Sequence, residues 1–261
     1  MTYTIAVSNE KGGVAKTTTA LSLGAALAEL GRSVLLIDLD PQANLTLALG
    51  FEPGEVTKTS ANVLIESEPL LGSRQKTPIQ GLDLIPSNAQ IENAEKYLPI
   101  RINYLDTLRT ALESASPIPY DVVVMDCPPA LGAITLNALS ASNLLIIPSQ
   151  AEFFSAYALR NMMTTIRRVR QDGNPELVYR ILVTMLDRRN RTHRNIYEQL
   201  IATFGDGVFT SVIEIDTKLR ESPISGQPIT IYKPNSRGAL QYRVLAQELI
   251  EYAQETLQQT A

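Results

Sequence analysis

Short, unbroken apolar blocks alternate along this chain with longer stretches whose apolar positions recur every three or four residues. The blocks run from Thr4 to Val7, Ser33 to Asp38, Tyr120 to Asp126, Leu144 to Pro148, Arg180 to Leu186 and Val208 to Ile213. They are rich in β-branched residues and too short for helices, which predicts parallel strands buried on both faces. Leu82 to Pro86 alternates instead and predicts a strand, with an antiparallel edge position as one option. Helical spacing appears from Thr19 to Leu30, where Leu23, Ala26, Leu27 and Leu30 share a face and Gly31 ends the run. It recurs near Ala61–Glu66, from Ile91 to Tyr97, Ile102 to Ser114 and Ala156 to Arg170, and through Ile196, Leu200, Ile201 and Phe204. A long last helix is capped by Ser236 and carries Leu240, Val244, Leu245, Leu249 and Ala253 at helical spacing. The rest of residues 52–80, with Pro53, Gly54, Pro69, Gly72 and Pro78, predicts loops. Strands alternating with helices predict an α/β fold: one doubly wound, mainly parallel sheet with helices on both faces.

The turn between the first strand and the first helix is Ser8-Asn9-Glu10-Lys11-Gly12-Gly13-Val14-Ala15-Lys16-Thr17-Thr18. Strand, glycine loop, helix is the setting of a phosphate-binding loop, because loop amides and the helix N-terminus both aim positive charge at an anion. The ordinary pattern G-x-x-x-x-G-K-[ST] fails, since Glu10 and Ala15 occupy its glycine positions. What remains is K-G-G-V-A-K-T, with a second lysine, Lys11, at the loop entrance. A solvated Gly-Gly turn with two surface lysines is the plain alternative; the strand and helix on either side favour the phosphate loop. A left-handed Ala15 would cost ~1–2 kcal/mol. The expectation is therefore helix-compatible dihedrals there, with the amide still facing phosphate.

The second strand ends in Asp38-Leu39-Asp40-Pro41-Gln42, carboxylates at the end of a parallel strand where open α/β sheets bind ligands. Either aspartate alone also reads as a helix cap. The very apolar strand from Tyr120 ends in Asp126-Cys127-Pro128-Pro129, a Walker B signal in which Asp126 would hold Mg²⁺ through water. Cys127 reads as a small buried filler beside that site.

Three motifs in order, K-G-G-V-A-K-T-T, D-L-D-P-Q and D-C-P-P, resemble those of the ParA/MinD ATPases with their deviant Walker A loop, K-G-G-x-G-K-[ST]. The resemblance covers nearly the whole chain. It implies a P-loop NTPase fold over residues 1–261 with no separate N-terminal DNA-binding domain. It implies ATP and Mg²⁺ as cofactors, held by Lys11, Gly12, Gly13, Val14, Ala15, Lys16, Thr17 and Thr18. Lys16 would reach the β/γ-phosphates, Thr17 would ligate Mg²⁺, and Asp38 would support the metal and the switch. Asp40 would orient the attacking water. Lys11 would be the signature lysine that crosses an ATP-dependent homodimer interface to the partner's nucleotide. The family usually has a glycine in the segment matching Glu152-Phe153-Phe154-Ser155, and this chain does not. Glu214 to Thr217 likewise differs from the Pro-Arg-Asn run that lies near the adenine.

Charge adds a second candidate region. Between Arg160 and Arg194 stand nine arginines against three acids, a local +6 in a chain whose total is −4. Arg188, Arg189, Arg191 and Arg194 sit at or just before a helix start, where cations oppose the helix dipole at ~0.3–1 kcal/mol each. An external anion would turn that cost into attraction. The family binds DNA without sequence preference through a similar D-R-R segment and an arginine matching Arg220, which lies in the matching run Lys218-Leu219-Arg220-Glu221-Ser222-Pro223. A solvated charged face is the alternative.

The remaining composition narrows the function classes. One cysteine and one histidine exclude a disulfide framework and a Cys/His metal site within one chain, and suit a reducing cytosol. No apolar run approaches ~18–20 residues, and the chain begins directly in a strand without a signal peptide. A MinD-like membrane anchor is disfavoured: after Arg243 there are Glu248, Glu251 and Glu255 but no lysine or arginine. An iron–sulfur carrier would need more thiolates than Cys127 supplies. A metabolic P-loop ATPase stays open. The favoured expectation is a cytoplasmic, nucleoid-associated ATPase that positions a cargo with a ParB-like or adaptor partner.

Overall fold

The computed structural model describes residues 2–152 and 155–259. Its eight strands are β1 (Tyr3–Val7), β2 (Val34–Asp38), β3 (Gln75–Lys76), β4 (Leu82–Ile85), β5 (Val122–Asp126), β6 (Leu144–Gln150), β7 (Val178–Leu186) and β8 (Val208–Glu214). They form one sheet in the order β3-β4-β2-β5-β1-β6-β7-β8, parallel except for β3. Leu82–Ile85 is thus a parallel strand paired to β2, not an antiparallel edge. The antiparallel edge is the two-residue β3, too short to carry a period in the sequence.

Alternation along each strand feeds two cores. Leu35, Ile37, Val123 and Met125 face one layer; Val34, Leu36, Val122 and Val124 face the other. Eleven α-helices cover the two faces. On the first lie α3 (Ser60–Glu66), α4 (Ala94–Tyr97), α5 (Thr107–Ser114), α6 (Ala133–Ser140), α7 (Ser155–Asp172) and α8 (Arg191–Phe204). On the second lie α1 (Lys16–Glu29), α2 (Asn44–Ala48), α9 (Lys218–Ile224), α10 (Ile229–Tyr232) and α11 (Arg237–Gln259). Gly24 lets α1 settle on β2: a Cβ there would stand 2.7 Å from Leu36 Cδ2.

Three expected helices are shorter or differently faced. Ile91 to Tyr97 begins as a 3₁₀ turn (Ala89–Asn93) before α4, and Ile102 lies outside α5 next to a left-handed Asn103. In α11 the buried stripe is Ala239, Tyr242, Leu245, Ala246 and Leu249, whereas Leu240 and Val244 are exposed. The stripe is rotated because Tyr242 is the anchor: its hydroxyl meets Thr19 Oγ1 of α1 at 3.0 Å. Ser236 caps α11 as expected, accepting the Ala239 amide at 3.2 Å.

Helix α11 also closes the open edge of β8. Glu248 accepts the amides of Thr210 (2.7 Å) and Ser211 (2.9 Å), and Gln241 accepts that of Glu214 (2.9 Å).

The sheet's architecture places the site. Val7, Asp38 and Asp126 are register partners at the carboxyl ends of β1, β2 and β5. The helices that follow β1 and β5, α1 and α6, pack on opposite faces. A crevice therefore opens at the carboxyl ends between these strands, the position where doubly wound sheets take ligands.

Candidate nucleotide site and arginine surface

The loop from Ser8 to Ala15 is held from outside by the ends of β6 and β7. Asn9 Nδ2 donates to Pro148 O (2.7 Å), and Asn9 Oδ1 takes the Lys11 amide (3.0 Å). Gln150 Nε2 donates to Gly13 O (3.0 Å), and Thr184 Oγ1 to Val14 O (3.1 Å). In a trans peptide the C=O and the following N–H point oppositely. Drawing the carbonyls of Gly13 and Val14 toward β6 and β7 therefore turns the amides of Val14 and Ala15 the other way, into the loop. Among the described residues none of the amides from Gly12 to Thr18 meets an acceptor, and α1 starts without a side-chain cap. Those unused donors at a helix N-terminus make an anion cradle.

Ala15 corrects an expectation. Its φ of 68° and ψ of 35° are left-handed, as is Gly13 at φ 74°. The two carbonyl anchors fix the loop path, and that path needs positive φ at both positions. The left-handed conformation costs a residue with a Cβ ~1–2 kcal/mol, and Ala15 borders a small cavity there.

Lys16 is buried, and its Nζ donates to Lys11 O at 3.3 Å. Burial pulls its pKa down, while the carboxylates of Asp126 and Asp40 oppose that pull. Asp126 is fully buried beside the Thr17 side chain, and among the described residues neither carboxylate oxygen makes a well-formed hydrogen bond. Burial, and then the neighbouring Asp38, hold its pKa well above the carboxylate range. A buried carboxylate with other aspartates beside it calls for a cation, and with Thr17 at hand it fits Mg²⁺, which takes few protein ligands and keeps water and phosphate oxygens. Among the described residues no group of three or more His, Cys, Asp or Glu makes a metal cage.

Asp38 is engaged differently. Its Oδ1 takes the Asp40 amide (3.1 Å), and its Oδ2 takes both the amide (2.9 Å) and the hydroxyl (2.7 Å) of Thr46. Thr46 Oγ1 in turn accepts the Ser87 amide (2.9 Å) at the end of β4. Asp38 thus fixes the segment that carries Asp40 and α2. Asp40 is buried beside Lys16 and Asp126; its Oδ1 accepts the Gln42 amide at 2.9 Å and its backbone carbonyl accepts that of Ala43 at 2.9 Å. Thr46, Ser87, Gln150 and Thr184 were not singled out from sequence; a polar residue closing an apolar parallel strand was the available signal for Gln150 and Thr184. Cys127 is buried, and burial pushes its thiol above the usual range, so it is a filler and no nucleophile.

Lys11 lies at the mouth of the loop with its Nζ 2.6 Å from Glu152 Oε2 and 3.3 Å from Gln150 Oε1. Glu10 accepts from Asn161 of α7 at 2.8 Å. Phe153 and Phe154 of the segment expected to differ from the family lie outside the described residues. Beside Ala15 and Thr18 a small cavity of about 60 Å³ is lined by Met185, Ile213, Glu214, Ile215, Asp216 and Arg220, among others. Its wall is the segment that departs from the Pro-Arg-Asn run.

The arginines form a surface tied within itself and to Glu214 of β8. Asn190 caps α8, accepting the Thr192 amide at 2.9 Å. Arg189, whose side chain is 93% exposed, pairs with Asp187 at 3.1 Å. Glu214 bridges Arg188 (2.6 Å) and Arg237 (2.9 Å), and Lys218 pairs with Glu221 (2.6 Å). Arg194 donates to the carbonyls of Arg188 (2.6 Å) and Arg189 (3.0 Å). Among the described residues the side chains of Arg191 and Arg220 have no partner. Arg220 and Glu214 share the rim of the small cavity, which links the arginine surface to the nucleotide crevice.

Comparison with known proteins adds the following. A family model described as an AAA domain matches residues 2–179. The chain is 39% identical to the sporulation initiation inhibitor protein Soj of Bacillus subtilis, over 94% of this chain and 97% of Soj. It is 40% identical to the chromosome partitioning protein ParA of Caulobacter vibrioides, over 94% and 93%. A crystal structure from Mycobacterium smegmatis, described as a cobyrinic acid a,c-diamide synthase with bound ADP and magnesium, superposes with a TM-score of 0.85. It is 34% identical and covers 97% of this chain and 96% of that one.

Proposed function

The chain belongs to the ParA/MinD superfamily of P-loop ATPases, and from that premise we propose that it is an ATP-driven dimerisation switch that binds DNA without sequence preference and positions a cargo. The observation that supports this reading is the set of amides from Gly12 to Thr18 left without acceptors among the described residues, together with the buried Asp126 beside Lys16 and Thr17 and a second lysine at the mouth. The amides and Lys16 would hold the nucleotide's phosphates. Thr17 and Asp126 would hold Mg²⁺, with Asp38 acting indirectly by fixing the Asp40 segment. When bound, the metal neutralises charge on the β/γ-phosphates. Asp40 would orient water for attack, and Lys11 would reach the partner's nucleotide.

Two copies of the arginine surface on one dimer explain how ATP could gate DNA binding. About four phosphate contacts per monomer would give a log–log salt slope of about −3 to −4, and a dimer about twice that. A monomer would then fall off DNA at cell salt while a dimer stays. A partner of ParB or adaptor type would stimulate hydrolysis and release the protein. On this reading the protein would act in the cytoplasm on the nucleoid. Among the described residues no helix is long and apolar enough to cross a membrane.

The test is retention on random-sequence DNA. Retention is expected with ATP and absent with ADP, and Asp40→Ala should stay bound longest because it dimerises without turning over. Equal retention in both nucleotides would defeat the reading. A second reading, a small-molecule ligase, is favoured by the likeness to the Mycobacterium smegmatis structure. It needs room for a substrate beside the phosphate loop. The cavity bordering Ala15 and Thr18 holds about 60 Å³, and a roomier one, about 750 Å³, is lined by residues of α3, α5 and their neighbouring loops.

A further inference from the structure

Glu214, the last residue of β8, shares one carboxylate between two cations from different parts of the chain. Its Oε1 accepts from Arg188 Nε of the arginine loop at 2.6 Å, and its Oε2 from Arg237 Nη1 at 2.9 Å. Arg237 lies well beyond the arginine cluster in sequence, yet the shared carboxylate brings its guanidinium beside that of Arg188. It is also the first residue of α11, where the helix dipole disfavours a cation.

The three side chains are layered. That of Glu214 is 16% exposed, whereas those of Arg188 and Arg237 are 57% and 56% exposed. The carboxylate is thus the floor, and the guanidiniums stand over it facing water. Arg188 spends only its Nε, so its two terminal nitrogens have no partner among the described residues. Its backbone is pinned by Arg194, which donates to its carbonyl at 2.6 Å. Arg237 also donates to the carbonyl of Ile215. Both cations are placed in advance, but the three groups together carry one net positive charge instead of two.

We propose that Arg237 contacts DNA phosphate beside Arg188, and that Glu214 is a built-in counter-ion that holds down the affinity of this pair for DNA. The proposal rests on the reading of the arginine surface as a non-specific DNA site. Only uncompensated protein charge neutralises phosphate, and each phosphate neutralised releases about 0.9 counter-ion. With Glu214 charged the pair neutralises about one phosphate; without that charge it neutralises about two. The salt slope should then steepen by about 0.9 per subunit, or about 1.8 per dimer. At about 0.15 M salt this is about fivefold in affinity per subunit, against about twofold lost because the exposed arginines are less well ordered. The charge effect wins, and a dimer lacking the carboxylate charge binds DNA about tenfold tighter. On this reading Glu214 keeps the dimer's hold weak enough for hydrolysis to undo.

The experiment is retention on random-sequence DNA across a salt series, with Mg²⁺ and a saturating non-hydrolysable ATP analogue, for wild type, Glu214→Gln, Arg237→Gln and the double variant. Glu214 borders the cavity beside Ala15, so nucleotide is kept saturating and the dimer is verified by sedimentation in each sample. Glu214→Gln is expected to bind about tenfold tighter at about 0.15 M salt, with a slope steeper by about 1.8. Arg237→Gln should flatten the slope by about 1.8, and the double variant should return to the wild-type slope. An unchanged slope in Glu214→Gln would overturn the counter-ion role. Weaker binding would make Glu214 a residue that only orders the arginines and would overturn it too. Arg237→Gln alters a side chain that stands mostly in water, so it carries the test even where Glu214→Gln fails to fold. A wild-type slope in that variant would remove Arg237 from the surface and overturn the proposal. If wild type itself is not retained on DNA, the reading of the arginine surface falls. If wild type is retained and neither variant differs from it, only the present proposal falls.

Discussion

The phosphate loop and the arginine loop both stand at the carboxyl ends of strands, and both offer positive charge to an anion, yet they are built in opposite ways. The phosphate loop is held by residues far away in the chain: Pro148, Gln150 and Thr184 fix Asn9, Gly13 and Val14. Its donors are backbone amides that cannot move. The arginine loop is held mainly by near neighbours: Asp187 by Arg189, Arg188 and Arg189 carbonyls by Arg194, and Thr192 by Asn190, with Glu214 on Arg188 as the distant exception. Its donors are long side chains in water. The first arrangement suits one anion of fixed shape. The second suits a polyanion whose phosphates arrive at variable spacing, where adaptability matters more than geometry.

That contrast breaks most sharply at Lys16. Lys16→Ala should weaken nucleotide binding about a hundredfold or more, since a charged donor to phosphate is lost from a rigid site. The fold should persist, because a buried amine whose charge is disfavoured there has been removed. Calorimetric titration with ATP measures it; near-normal affinity would mean that the cradle alone carries binding. At the other loop the change should be graded. Replacing Arg189 and Arg220 together should remove about two phosphate contacts per subunit and flatten the dimer's salt slope by about 4, equally on every sequence. Filter retention against salt reads this, and an unchanged slope would reduce the arginines to a solvated face. The smallest effect is expected at Ala15. Ala15→Gly removes the left-handed methyl cost but adds backbone freedom to the unfolded chain, for a net gain of about 0.5–1 kcal/mol, or about 2 °C in Tm. A lowered Tm would contradict positive φ at this position.

Most of the sheet was legible in the sequence because strands buried on both faces must be apolar throughout, and Ile5, Leu36, Val124 and Ile146 are. The crevice was legible too, because aspartates closing apolar strands have few other uses. What stayed hidden depends on distant partners. The dihedrals of Ala15 follow from Gln150 and Thr184, which nothing in residues 8–18 announces. The role of Asp38 depends on Thr46 folding back onto it, and the partial neutralisation of Arg188 depends on Glu214, 26 residues on. The outward turn of Leu240 and Val244 was missed for a different reason. Helical spacing is compatible with more than one stripe, and the hydroxyl of Tyr242 selects among them.

The carboxylate of Glu248 against the backbone of β8 bears on how copies of this protein can meet. A bare strand edge invites another strand to continue the sheet, and such growth has no natural end. Here Thr210, Ser211 and Glu214 have already spent those amides on side chains of the same chain. The opposite margin ends in two residues, one of them the exposed Lys76. With both margins blunted, association is steered to the faces and the crevice, where a two-fold pairing closes on itself and stops at two. On the proposed reading, in which copies assemble and come apart with each nucleotide, such a chain would have little opportunity to polymerise through its sheet.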